Sequence, residues 1–554
     1  MADNEQLRLL ERLDKRKVAL FNERQSTWDA HWKDLQKYIQ PRAGRFYETE
    51  TNRGDKKRES IIDSTAGKAL RVLVAGMSSG LTSPARPWFR LTTPDPELME
   101  FGPVKEWLFE VERRMRMIFQ SSNVYNALPM AYEELGLFGT SVTFWMTDFN
   151  RVLRGVPITT GEYALALGDD LTVDTVYRRY RPTVKQIVEQ FKGAVSQNVR
   201  QMYDRGDYDE RVEITHAVEP RRQRDVSKLD ARNKRWASVY WEHGQDKTLR
   251  ESGFDARPFT ATRWDVTGYD TYGRSPGMDA LGDAKQIQLM ERKKALLVSL
   301  GVQPSMVAPV SLQNGSATMA PAGITYADSV QGGSGPAFRP AYEPNPQWLG
   351  LMREDMNEVR DRINSAFFAD LFLMISQMQD VRSATEVAAR QEEKMLMLGP
   401  VLERAHSELL NPLIDRTFTI MLDAGLLPPP PQELFGTDLR VDYISVLAQA
   451  QKAVSTTAVE RLTGFIGNLA AVDPQVIDKY DADQAVDEYA DMLGVPPKIV
   501  RPDDQVAQIR QQRQQAQQMQ QALASGKDAA DTAKVLSQAD MRGGNALSAL
   551  TGNG

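Results

Sequence analysis

Residues 383–421, SATEVAARQEEKMLMLGPVLERAHSELLNPLIDRTFTIM, constrain the fold more than any other stretch of this chain. Ser383 and Glu386 have the spacing of a capping box, in which the serine oxygen and the glutamate carboxylate satisfy each other's backbone amides. Glu386 and Arg390 form a favourable i,i+4 pair. Leu398, Leu402, Ala405, Leu409 and Leu413 then recur at intervals of four and three, which is one apolar stripe of a helix. Pro400 and Pro412 interrupt it, each at about 3 kcal/mol in a straight helix because the ring removes a hydrogen bond and strikes the preceding turn. Since the stripe continues through both, the pattern predicts one helix of about 40 residues, on the order of 60 Å long, bent at defined places. Glu392, Glu393 and Lys394 read as its solvated face. A bent strut suits a large assembly better than a catalytic pocket.

Composition bounds the rest. At 554 residues the chain exceeds what one core serves, so two to four units are expected, and 41% hydrophobic content is ample for folding. There is no cysteine, which removes disulfides, thiolate metal sites and cysteine nucleophiles. The N-terminal MADNEQLRLLERLDKRK lacks the apolar core of a secretory signal. No stretch approaches the roughly 18 uncharged residues of a membrane span, so the expectation is a chain made and used in a cytoplasm. A net charge of −6 argues against tight nucleic-acid binding, which usually shows a basic excess. Weak or channelled contact with DNA stays open.

Periodicity predicts a helix over 5–39 stopped by Pro41, then a basic polar loop in which Arg42, Arg45, Arg53, Lys56, Lys57 and Arg58 either meet phosphate or are simply solvated. Helices follow over 61–81, 104–119 and 127–138, with a short strand near 88–91. From Ser141 to Arg274 the period changes: SVTFW, RVEITHAV, ASVYW and PFTATRW read as antiparallel strands, with one helix inserted over 183–203. Ser275 and Pro276 then open a long helix to about Leu300, with Asp279 near its start. Residues 305–328 read as strand, Asn314-Gly315 turn, strand. A helix is expected from Trp348 to Ala369, and others near 441–469 and 482–493. FFADLFLMISQMQDV, residues 367–381, is either buried core or a flexible loop lined by adaptable methionine and glutamine side chains. The Gln/Ala-rich end admits a poor coiled coil, a helix formed beside copies of itself, or disorder.

Catalytic motifs are weak. GMSSG, residues 76–80, matches the nucleophile elbow of α/β-hydrolases, but that turn must follow a strand and the preceding STAGKALRVLVA is helical in pattern. STAGK lacks the glycine and the hydroxyl residue a phosphate loop needs, with Ile62 and Ala69 at those positions. His31, His216, His243 and His406 have no ligand spacing. No metal or cofactor is expected. Two other readings remain beside a mechanical part: a DNA-processing enzyme such as a nuclease, and a cytoplasmic scaffold or adaptor.

WDAHWKDLQKYIQPRAGRF, IIDSTAGKALRVLVAGMSSGLTSPARPWFRL, SNVYNALPMAYEELGLFGTSV, VDTVYRRYRPTVKQIVEQF, YGRSPGMDALGDAKQIQLME and RSATEVAARQEEKMLMLGPVLERAHSELLNPLIDR occur in that order. This ordered set resembles the head-to-tail connector, or portal, proteins of short-tailed double-stranded DNA phages, over most of residues 20–425. The resemblance implies a mainly α fold with α+β wing and clip regions, and a ring of twelve copies at a capsid vertex through which DNA passes inward and outward. It implies no enzyme. The partners it implies are double-stranded DNA held without sequence preference, terminase, scaffolding and major capsid proteins, and tail adaptor or tail tube proteins, with no membrane.

Carried onto this chain, 1–205 is the N-terminal helical and wing region, 206–275 a strand-rich region holding the clip, and 276–300 a stem helix. Residues 301–370 are wing strands and helix, 371–382 the tunnel loop and 383–425 the bent helix. The crown takes 426–500, and 501–554 is a tail, a helical barrel or disordered. Met374, Gln377, Met378 and Arg382 are then the tunnel-loop residues that meet DNA, and Lys285, Arg292, Lys293 and Lys294 the basic residues of the stem. A conduit must not hold DNA deeply, because six to ten fixed phosphate contacts would brake its passage. GMSSG would be structural, and the energy would come from a separate ATPase.

Overall fold

The computed structural model describes residues 2–46, 60–95, 98–99, 101–228, 230–245, 247–304, 306–307, 339–340, 345, 347–377, 398–436, 439–444, 462–471, 474–493, 500–501 and 505–520. They fall into two compact units. The first comprises Met1–Arg90, Val111–Pro428 and Val441–Gln451, the second Leu91–Glu110, Pro429–Arg440 and Lys452–Gly554.

The first unit is built on two antiparallel sheets. Strands β2 (Thr140–Asp148), β3 (Val152–Ile158) and β9 (Phe259–Arg263) form one, in the order β3-β2-β9. Strands β4 (Tyr163–Leu167), β5 (Val173–Tyr180), β6 (Ile214–Pro220), β7 (Trp236–Glu242) and β8 (Thr248–Phe254) form the other in sequence order. Alternation along β5 to β7 splits the larger sheet into two covered faces. Tyr177, Ala217, Val239 and Trp241 meet Leu10, Leu13 and Phe21 of helix α1 (Ala2–Thr27). Ile214 and Tyr240 meet Val184, Ile187, Phe191 and Val199 of helices α6 (Val184–Phe191) and α7 (Gln197–Arg205). The strand-rich stretch 206–275 is therefore woven into sheets with residues 140–180 and is no separate region.

The helix expected over 5–39 is broken at Trp28 into α1 and α2 (Asp29–Tyr38). The reason lies far along the chain. Arg24 pairs with Asp29 at 2.9 Å and donates to the carbonyls of Gly161 and Tyr163, so its buried guanidinium fixes the break. The single helix expected over 183–203 is also two, α6 opened by a Thr183–Gln186 capping box and α7 by Ser196, whose hydroxyl accepts from Val199 N.

Helices α3 (Thr65–Leu81) and α5 (Val124–Phe138) pack closely enough that a Cβ on Gly136 would lie 2.4 Å from Leu73 Cδ2. Between them in sequence lie β1 (Phe89–Thr92) and α4 (Gly102–Ser121). Asp63 accepts from the Thr65 amide, so α3 begins at Thr65 and not at Ile61. Gly139 caps α5 at φ 78° with its Cα face 2.2 Å, in Cβ terms, from the Gly273 carbonyl, a contact only glycine permits. This contact and the Ser275 hydroxyl, which donates to Leu137 O and accepts from Met278 N, anchor the start of helix α8 (Pro276–Val302).

Strand β10 (Met306–Val307) pairs with β11 (Arg339–Pro340), and the Asn314-Gly315 turn expected from the sequence lies outside the described residues. Helix α9 runs Gln347–Ala366 and stops at Phe368, whose φ of 54° is rare for a bulky residue. Helix α10 (Ala369–Gln377) follows, so the first part of the expected tunnel loop, 371–377, is helical. Its Leu371 and Phe372 are buried, and a Cβ on Gly76 would meet Phe372 Cδ1 at 2.1 Å. That explains GMSSG: it is the interior of α3, with Ser78 bonded to Val74 O at 2.7 Å, and the small residue makes room for a ring. We expect Gly76→Ala to destabilise the unit by about 1–3 kcal/mol, as overpacking does. An unchanged urea midpoint would contradict this.

The capping box at 383–386 lies outside the described residues. From 398 the strut is helical to Asp423, as α11 (398–405), a π turn His406–Leu410, and α12 (Asn411–Asp423). Pro400 sits within described helix, and the accommodation falls at Pro412. The Asn411 amide bonds back five residues to His406 O, and this wider turn relieves the clash a proline ring makes with the carbonyl four residues earlier. The His406 ring stacks on Tyr443 at 3.9 Å, and burial brings its pKa down to about 4. A histidine kept neutral this way stabilises fully above its unfolded value of about 6.5 and progressively less as pH falls toward 4. His406→Phe should therefore lose less stability than the parent between pH 7 and 4.5, by up to about 3 kcal/mol, in urea titrations at the two pH values. Equal losses would rule it out.

In the second unit, helices α13 (462–470), α14 (Ala482–Leu493) and α15 (505–520) are described, with Arg510 paired to Asp483 at 2.5 Å. The helix expected from Val441 is contradicted at its start, where Arg440–Tyr443 is strand β12. No described helix is long and apolar enough to cross a membrane.

Candidate functional site: the paired helices and the tunnel segment

Helices α8 and α9 lie along each other. Each half of α8 has its own environment. In the first half Ala280, Leu281, Ala284 and Ile287 are buried in the body of the unit, and Gln288 is 2% exposed. Gln288 Oε1 accepts from the amides of Ile62 and Asp63 while its Nε2 donates to Asp63 O, so both ends of a buried amide are bonded. Beyond Gln288 nothing on α8 is buried.

An ion-pair network clamps α9 to this base. Arg360 donates from Nε and Nη2 to Asp63 Oδ2 at 3.0 and 2.9 Å and from Nη2 to Glu291 at 2.7 Å. Arg362 reaches Asp283 at 3.0 Å and Glu358 at 3.1 Å. Burial pushes the Asp63 carboxyl up, but hydrogen bonds from Thr65 and Arg360 outweigh it and hold the group below the usual carboxylate range.

The four basic residues expected on the stem divide. Lys285 is paired with Asp34 at 2.6 Å and sits over the Tyr38 ring, and Lys294 is paired with Glu291 at 2.7 Å. Arg292 and Lys293 are exposed and form no ion pair with described residues. Met374 and Gln377 fall in the last turns of α10, while Met378 and Arg382 lie outside the described residues.

The strut is fixed to the three-stranded sheet through its π turn. Glu408 accepts from the Arg263 amide at 2.9 Å and from Arg263 Nη2 at 2.7 Å, and Arg404 adds a second cation at 3.3 Å. Arg416, about two turns after Glu408, donates to Trp145 O. Sequence reasoning missed both anchors and the Arg360 clamp, because their partners stand 145, 271 and 297 positions away.

A clamped helix pair with an uncovered far half, a strut tied to the three-stranded sheet, and a helix ending at the methionine-rich stretch make a frame for repeated packing. The model of the bacteriophage head to tail connecting protein family matches residues 11–500, and the chain belongs to that family. It is 46% identical over 536 residues to the "Probable portal protein" of Bordetella phage BPP-1, covering 96% of each chain. It is also 45% identical over 555 residues to the "Portal protein" of Salmonella phage epsilon15, covering 99% of this chain and 98% of the relative. The mainly α fold with its α+β body is that of a portal, and the chain serves as the head-to-tail connector of a phage particle.

Proposed function

We propose that copies of this chain close into a ring, dodecameric as the sequence resemblance implies, whose axis carries the double-stranded genome in during packaging and out at ejection. One observation supports this above the others. On the far half of α8, Leu289, Leu296, Val298 and Val302 are open to solvent in a single chain, and so are Trp348, Leu349 and Leu351 at the start of α9. Apolar surface of this extent marks a contact with another chain, and a head-to-tail contact repeated by rotation closes into a ring. Sedimentation of the purified protein tests it: one discrete species of many copies is expected, and a monomer under every assembly condition overturns it.

In this reading α8 and α9 are the paired stem helices. We assign the clip to residues 303–346, which join them, in place of 206–275, whose strands are shared between the two sheets. The clip docks terminase and later the tail adaptor or tail tube proteins, and scaffolding and major capsid proteins meet the ring during assembly in the host cytoplasm. The chain itself is not an enzyme, and a separate ATPase supplies the work.

Met374, Gln377, Met378 and Arg382 line the passage in this proposal. Uncharged, pliable side chains present phosphates with shallow wells. Replacing Met374, Gln377 and Met378 together by lysine should leave ring assembly intact and reduce packaged DNA severalfold in infected cells. Unchanged packaging would remove these residues from the passage.

A further inference from the structure

A cavity of about 1100 Å³ opens on the first unit, between β2–β3 and the face of the larger sheet that α6 also covers. Seven arginines and three glutamates line it, a local excess of positive charge on a chain whose net charge is −6. Two of those glutamates are already engaged, Glu162 by Arg45 and Arg178, and Glu213 by Arg181 at 3.3 Å. Cationic capacity is left over. Arg154 is 58% exposed at the rim, with a carboxylate no nearer than Asp148 at 4.0 Å. Arg250 lies over the Phe191 and Tyr240 rings, and no carboxylate among the described residues bonds it. Arg178 Nε is a buried donor without an acceptor among the described residues, a state that costs about 1–3 kcal/mol and is relieved by a ligand oxygen.

The ligand must therefore be anionic, and the rings decide which kind. Single-stranded nucleic acid binds by stacking its bases on free aromatic faces. Here Tyr240 lies between His216 at 3.7 Å and Arg250 at 4.8 Å, Tyr180 is covered by Arg178 at 4.2 Å, and Phe144 packs on His216 and Phe259. The fourth ring of the lining, Phe46, packs on Trp32 and Phe138, so each aromatic ring of the cleft is already engaged by described residues. A duplex is too wide to enter a cavity of this size. An extended peptide fits both limits: side chains on one face recur every 6–7 Å or so, and each carboxylate takes an arginine fork in two parallel hydrogen bonds.

We propose that this cleft docks an acidic peptide segment of a partner protein, its Asp and Glu side chains received by Arg154, Arg178 and Arg250. The site is distinct from the apolar seam on α8 and α9, and it stands whether or not that seam closes a ring.

Fluorescence anisotropy on the full-length protein tests this with a labelled decapeptide of alternating Glu and Ala, its Gln–Ala counterpart, and a short DNA duplex as competitor. The acidic peptide should bind and the Gln version should not. Arg154→Gln with Arg250→Gln should weaken binding at least about tenfold, and added salt should do likewise. Should that pair fail to fold, Arg154→Glu, at the exposed rim, decides with the same expected loss. No binding by the parent protein, binding that ignores these substitutions, or displacement of the peptide by duplex at equal charge would overturn the proposal. Loss of self-association in an otherwise folded Arg154→Glu variant would also overturn it, by making the cleft a contact between copies.

Discussion

Glu408→Ala should be among the most damaging single substitutions in this chain, at about 3–5 kcal/mol, because it leaves the Arg263 guanidinium buried beside an apolar stub. Arg263 is 4% exposed at its side chain and Glu408 12%, so neither charge can turn to water for compensation. The remaining acceptors of Arg263, the carbonyls of Leu171 and Asp270, are neutral. The cost falls on the π turn that lets the strut pass Pro412, so helix 398–423 should loosen first. Hydrogen exchange across that helix, together with a urea midpoint, reads both effects. A double change, Arg263→Met with Glu408→Leu, should recover most of the loss, since two apolar side chains leave no unpaired charge. If Glu408→Ala cost less than about 0.5 kcal/mol, as a surface change does, the anchor would be ornamental.

The second large effect is on assembly. Leu296→Asp and Leu351→Asp sit on solvent in a single chain, so each should change the stability of the isolated subunit by no more than about 0.5 kcal/mol. In a ring the same carboxylates are pressed into an apolar seam, and burying an unpaired charge is costly enough to neutralise it or part the surfaces. The penalty repeats at every contact around the axis. The double variant should sediment as a folded monomer at concentrations where the parent assembles. Assembly at the parent's concentration would show that the seam on α8 and α9 lies outside the contact.

The parts of this molecule that were legible in the sequence are those whose cause is local. Ser275 and Pro276 announce helix α8 and Gly139 ends α5, because the causes act within a turn: the Ser275 hydroxyl caps an amide, Pro276 has no amide to leave unpaired, and Gly139 admits a positive φ. Strands β2, β6, β7 and β9 were legible from alternation in SVTFW, RVEITHAV, ASVYW and PFTATRW, whereas β3, β4, β5 and β8 were not named from the sequence. What failed was decided by distant partners. The break at Trp28 depends on carbonyls at 161 and 163, which no periodicity in residues 5–39 could report. Phe368 turns into the left-handed region because tertiary contacts hold it there, with its ring beside Trp264, so the helix expected to run to Ala369 stops early. The two prolines of the strut were legible as a problem, but the five-residue turn that resolves Pro412 was not. In the candidate site the basic residues of α8 were visible in sequence, whereas the pairing that engages Lys285 and Lys294 was not. The arginine cleft was invisible for a further reason: its cations come from five separate stretches of chain and meet only when β5, β6 and β8 form one sheet beside β2 and β3.

Electron micrographs of the purified protein, viewed down the long axis of its particles, test the central claim most directly. Rings of uniform subunit number around a hole wide enough for duplex DNA are the predicted result. Monomers, small closed oligomers or filled discs would contradict it.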